Sequence, residues 1–161
     1  MKSRLTKVMI LLAAAACSIG SAFAMERTVI KLHQEAPELH SIDLPPVGHS
    51  DGDILAFEAN LTGDNGVKAI MDGFLMTVDL AGATENVEDR VGQFTIDFGD
   101  GSSLLISGKA VFAATATEMS NETPQIRSVV GGTGTYIGAR GQITSVHHAD
   151  GTCDHMIELV N

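Results

Sequence analysis

Apolar and polar side chains that alternate with a period of two restrict this chain more than any other feature. Residues 53–61 set Leu55, Phe57, Ala59 and Leu61 on one face and Ile54, Ala56, Glu58 and Asn60 on the other. Residues 74–80 alternate Phe74, Met76, Val78 and Leu80 against Leu75, Thr77 and Asp79, and residues 93–98 alternate Phe94, Ile96 and Phe98 against Gln93, Thr95 and Asp97. That period belongs to strands, whose successive side chains point to opposite faces. No useful length carries a helical period. Turn-forming clusters at 62–66, 81–83, 99–101 and 150–151 separate the runs. Further strands are predicted at 28–33, 102–112, 125–130, 141–148 and 153–160. Many short strands with frequent turns mean a sandwich or a barrel. Several strands are apolar on both faces, which suits a barrel that encloses a pocket and packs against partner subunits. The expected fold class is all-β.

Within this pattern, VVGGTGTYIGARG at 129–141 places Gly131, Gly132, Gly134, Gly138 and Gly141 close together. Glycine reaches positive φ and lets backbones approach closely, at a cost in chain entropy. The flanks are strand-like, as is Tyr136-Ile137 within, so the stretch reads as a strand, a glycine turn, and a second strand with its own glycine break. A phosphate-cradling glycine loop needs a helix with its N-terminus aimed at the phosphate. Ala139-Arg140-Gly141-Gln142-Ile143-Thr144-Ser145-Val146 is short, β-branched and broken by glycine, which excludes a dinucleotide fold.

Residues 1–24 carry the marks of an export signal. Lys2, Arg4 and Lys7 form a basic start, 8–16 are continuously apolar, and Ser21-Ala22-Phe23-Ala24 offers small residues for cleavage after Ala24. Cys17 raises the alternative of lipoprotein processing. Cleavage of 24 of the 161 residues leaves one domain of 137, with residues 25–50 as a first strand and a stiff Pro45-Pro46-containing loop, and 51–161 as the main strands. That domain holds all 20 acidic residues against 7 of the 10 basic ones, a formal charge of −13. Such a balance argues against nucleic acid and anionic membranes as partners. It retains one cysteine, Cys153, and so no internal disulfide. The expected location is secreted or periplasmic. The segment 118–125, with Pro124, reads as a long loop over one end of the domain.

Three landmarks occur in order: Gly52-Asp53-Ile54-Leu55-Ala56-Phe57, Phe98-Gly99-Asp100-Gly101-Ser102, and the glycine stretch. Together they resemble the GDxxxF strand, the FGD hairpin and the GGTGxFxxARG strand of the dirigent and allene oxide cyclase superfamily. The resemblance covers about residues 51–160 and is most specific in the glycine stretch. It implies an eight-stranded antiparallel, calycin-like β-barrel, commonly a trimer, whose apolar cavity steers cyclisation or coupling of a reactive hydrophobic intermediate without a cofactor. The residues that carry chemistry in those proteins differ here. Ala59 stands where plant allene oxide cyclases have asparagine, Leu75 where they have cysteine, and the glutamate of their first strand has no counterpart. Dirigents carry aspartate after a first-strand histidine, whereas His33 is followed by Gln34; their ARG arginine is matched by Arg140.

On this alignment Leu55, Phe57, Phe94, Ile96 and Phe98 face inward as a hydrophobic ligand's lining. Lys31, His33, Glu58 and Arg140 are the expected polar groups near the mouth, where a buried cation would stabilise a developing oxyanion. The same fold also suits a non-catalytic carrier or a filled structural barrel. A second site is expected at the last hairpin. A two-residue Asp150-Gly151 turn sets Ala149 against Thr152, His148 against Cys153 and Val146 against His155. His148, Cys153 and His155 then share one face, a donor set suited to zinc or copper.

Overall fold

The computed structural model describes residues 27–78, 87–113 and 122–160. The expected leader with Cys17, and residues 118–121 of the expected long loop, lie outside the described residues.

Among the described residues, nine strands form one antiparallel sheet: β1 (Arg27–Gln34), β2 (Glu38–Ile42), β3 (Ile54–Gly63), β4 (Lys68–Val78), β5 (Val87–Asp97), β6 (Ser103–Ala113), β7 (Gln125–Thr133), β8 (Arg140–His147) and β9 (Cys153–Val160). From β3 to β9 each strand pairs with the next in the chain. β1 closes the cylinder. It pairs with β9 from Arg27↔Val160 to Gln34↔Cys153, and with β3 through Leu32↔Gly63, His33↔Thr62 and Gln34↔Leu61. β2 continues along β3 from Glu38↔Glu58 to Ile42↔Ile54. β1 and β2 are thus one stave, interrupted at Glu35-Ala36-Pro37, where proline has no N–H to give to a ladder. The result is the expected closed eight-stranded antiparallel barrel. β2 itself was not anticipated from its sequence, and β4 and β5 start earlier than their alternation suggests.

Closure removes the free edges that a flat sheet would expose. It also gives every strand an inward and an outward face. Leu61, Ile96, Leu104, Ile106, Phe112, Ile143 and Ile157 point inward from β3, β5, β6, β8 and β9 and are almost wholly buried. On β4 the inward positions are Ala69, Met71, Leu75 and Thr77, while Ile70, Phe74 and Met76 stand outside. Phe94 takes the space two glycines leave on its inner side. A Cβ on Gly92 would lie 2.7 Å from its ring, and one on Gly73 would lie 2.9 Å from it.

The glycine stretch is a strand, a turn and a strand, as expected. β7 carries a bulge between Leu105↔Gly131 and Ile106↔Val129, which leaves Val129 buried and Val130 outside. One turn of 3-10 helix follows at Gly134–Tyr136, so Tyr136 is not in a strand, and Ile137 beyond it is exposed. β8 starts after Ile137-Gly138-Ala139, at Arg140. At Gly141 a side chain would run into the backbone of Glu158 on β9, so the close approach of these strands needs glycine.

Candidate active site

The interior changes character along the barrel axis. Toward the end where β8 turns into β9, inward positions on four neighbouring strands are polar: Gln34 on β1, Arg127 on β7, Ser145 and His147 on β8, and His155 on β9. Each occupies a position that parity makes inward; all but His147, which follows Ser145, lie two residues from an apolar core neighbour. Gln34 follows Leu32, Arg127 precedes Val129, and Ser145 follows Ile143. Opposite them stand Leu39, Leu55, Phe57, Leu75 and Phe94. The two walls bound a cavity of about 80 Å3 with Phe112, Met71 and Ile143 also in its lining and the half-buried Pro37 and Leu39 at its rim.

The aromatic wall is ordered edge to face. The Phe57 and Phe94 rings lie 5.2 Å apart at 63°. The Arg127 guanidinium sits over Phe94, 5.0 Å from the ring centroid. Burial pulls the Arg127 pKa down to about 10, and the nearby Cys153 thiol opposes that shift. Arg127, itself only 5% exposed, therefore stays cationic at neutral pH.

His155 is bonded at both ring nitrogens. Its Nδ1 lies 2.9 Å from Ser145 Oγ, and its Nε2 lies 3.0 Å from Gln34 Oε1. Burial, and then the Arg127 charge, depress its pKa to about 4, so the ring is neutral at physiological pH. Cys153, which forms no disulfide, is also buried in the cavity lining. A second buried polar pair lies beyond Phe112. Arg90 bonds Glu88 and stacks on Phe112 at 4.4 Å, while His49, from the loop after β2, reaches Glu88.

Of the expected apolar lining, Leu55, Phe57 and Phe94 do face the cavity. Ile96 is fully buried in the core below it. Phe98 packs on Tyr136, 5.0 Å between centroids, in a groove at the far end of the barrel. The four expected polar residues stand elsewhere than at the mouth of the cavity. Lys31, His33, Glu58 and Arg140 are all exposed, on the outward faces of their strands, and Lys31 borders the same far groove as Phe98. His33 bonds Asp154 on the outer surface at 2.8 Å.

The expected metal set does not converge. His147, not His148, pairs with Cys153, and Ser145 pairs with His155. The loop is three residues long. His148 N–H donates to Thr152 O, Gly151 N–H donates to His148 O, and Gly151 has φ +85°. That geometry is a turn followed by a left-handed residue, and it uses one residue more than the turn assumed. A one-residue slip exchanges the two faces. Cys153 and His155 therefore point inward, while His148 points outward to Glu122 at 2.8 Å and to Asp154 at 3.1 Å. No group of three or more metal-ligating side chains assembles among the described residues. The residues missed in the sequence, Gln34, Arg127, Ser145 and His147, carry one signal that finds them: strand parity carried outward from Leu32, Val129 and Ile143.

No family profile matches the chain, and no curated protein matches it. The fold is that of the dirigent and cyclase-like β-barrels. The chain is similar to the structure of a pterocarpan synthase dirigent protein, with a TM-score of 0.62 and 15% identity over 93% of this chain and 97% of that one. A pyocyanin demethylase is similar at a TM-score of 0.62 and 17% identity, over 82% of this chain and 99% of that one. A nonspecific heme-binding cyclase that catalyses a [4 + 2] cycloaddition is similar at 0.63 and 14%, over 84% of this chain and 65% of that one.

Proposed function

We propose that the barrel takes the ring of a hydrophobic small molecule into the cavity beside Arg127 and steers its cyclisation or coupling. One observation carries this reading: an apolar pocket with a buried cation and a hydrogen-bonded neutral histidine in the same wall. An apolar enclosure holds a flexible reactant in one shape. A fixed cation in a water-poor wall favours negative charge that develops on a reacting oxygen. A carrier has no need of that arrangement, and a filled barrel would not leave the cavity. Similarity in fold to a dirigent protein and to a [4 + 2] cyclase supports the reading. The cavity matches one ring rather than a whole large ligand, so the remainder would leave past Pro37 and Leu39.

The same reading includes self-association. Ile54, Phe74, Met76 and Val91 are outward neighbours on β3, β4 and β5, with Ile54↔Met76 and Met76↔Val91 directly paired. Phe74 is 42% exposed and Val91 42%. A continuous apolar face of this kind suits contact with further copies of the chain. With the leader expected at 1–24, the work would be done outside the cytoplasm.

Native mass spectrometry of protein purified from its source tests the reading. A bound organic mass, released on unfolding and reduced in Arg127→Met, is expected. Protein that carries no ligand and takes up no hydrophobic dye overturns it.

A further inference from the structure

Gln34, His155 and Ser145 come from three strands, and cross-strand register brings them together. Ser145 lies directly opposite His155. Gln34 is opposite Cys153, which makes it the diagonal neighbour of His155 on the same inner face. All three line the cavity, and Ser145 is 2% exposed.

The bonding order in this chain follows from which atoms can donate. Gln34 Oε1 only accepts, so the proton at the 3.0 Å contact belongs to His155 Nε2. A neutral imidazole carries one proton, and burial keeps this ring neutral. Nδ1 is therefore a bare acceptor, and the 2.9 Å contact is filled by the Ser145 hydroxyl proton. With its proton committed to the ring, Ser145 Oγ turns only lone pairs toward the cavity. Within the one polar wall, Ser145 accepts hydrogen bonds and Arg127 donates them. Arg127 is opposite Ile143, hence the diagonal neighbour of Ser145.

We infer that the Gln34–His155–Ser145 chain is a proton-accepting relay, and that the ligand is a hydrophobic molecule with an acidic hydroxyl, a phenol or an enol, bound to Ser145 Oγ. The inference rests on the pocket reading above and names its ligand class. In the reactive step the ligand O–H bond breaks and its proton passes to Ser145 Oγ. The Ser145 proton passes to His155 Nδ1. The electron pair stays on the ligand oxygen, where the Arg127 charge stabilises it, and the ligand anion so formed, not Arg127, offsets the cost of an imidazolium at His155. Reversal of the step returns the proton to the product. Ser145 touches the ligand and is the catalytic residue of the relay; Gln34 acts through His155 and is a positioning residue.

Two measurements test it. Nitrogen-15 NMR of the histidine rings in the full, ligand-free protein reads the tautomer directly. A neutral His155 protonated at Nε2 is expected at pH 7, and an Nδ1–H tautomer or an imidazolium overturns the proposal. Binding is then compared for 4-nitrophenol and its methyl ether, 4-nitroanisole, below the ionisation of the free phenol. One added hydrogen bond predicts about tenfold tighter binding of the phenol, with the bound form absorbing as phenolate. Gln34→Leu removes the acceptor that fixes the tautomer and abolishes the preference, whereas Gln34→Glu, which still accepts, restores it. Ser145→Ala, a smaller change, lowers the preference if Gln34→Leu does not fold. Equal binding of the two probes, or a preference unchanged in these variants, overturns the relay while the pocket stands. If neither probe binds, the pocket reading falls and the ligand class falls with it.

Discussion

His147 stands directly across the β8–β9 hairpin from Cys153, and both side chains are buried inside the barrel. The three-residue loop sets that pairing, and the loop depends on Gly151 at φ +85°. A side chain there is strained by roughly 1–2 kcal/mol. Gly151→Ala is therefore expected to lower stability by about that amount, read from the denaturant midpoint at unchanged slope.

Gly141 and Gly131 belong to one glycine-rich stretch but have different surroundings. A Cβ at Gly141 meets the Glu158 backbone, whereas one at Gly131 meets nothing within 4 Å. Gly141→Ala should cost roughly 1–3 kcal/mol by overpacking, and Gly131→Ala should stay within about 0.5 kcal/mol of the wild type. Equal losses in thermal or chemical unfolding would contradict the close approach of β8 to β9.

Stability should depend on pH through His155. Its pKa in the folded barrel is about 4, against 6.5 ordinarily. Between those values the unfolded chain binds the proton and the folded chain does not. Stability therefore falls as pH drops through that window, by about 3 kcal/mol when complete. His155→Gln should flatten the slope of unfolding free energy between pH 7 and 4. An unchanged slope would show that other groups carry the acid sensitivity.

His148 shifts the opposite way. Its half-buried ring is bonded first by Glu122 and then by Asp154, and both raise its pKa above 6.5. The stabilisation these bonds give is present below that value and is lost as pH rises through the raised one. A proton NMR titration should place the His148 midpoint above the ordinary histidine range, and Glu122→Gln should bring it down.

The outer face predicts an assembly. If Phe74, Met76 and Val91 meet copies of the chain, Phe74→Glu should reduce the mass seen in sedimentation while leaving the far-ultraviolet spectrum of the barrel intact. A wild-type protein that sediments as a monomer would remove this part of the reading.

Alternation made the strands legible, because burial on one face writes itself into every second residue, and the resemblance then chose the face that carries Leu55, Phe57 and Phe94 as the inner one. The polar wall was harder to see. Gln34, Arg127, Ser145 and His147 are inward by parity, yet their chemistry suggests surface, and His33 beside Gln34 drew attention to the wrong face. The register of the last hairpin was not legible at all. Asp150-Gly151 reads equally well as a two-residue turn or as part of a longer one, and only pairing of the whole strand decides between them. β2 was missed because it has little alternation and only Leu39 is partly covered.

The stave formed by β1 and β2 has to meet β9, the last strand of the chain, before the cylinder can shut. Until β9 is available to pair with β1, the cylinder cannot shut around its apolar interior, so closure rests on contacts between the two ends of the sheet that are far apart in sequence.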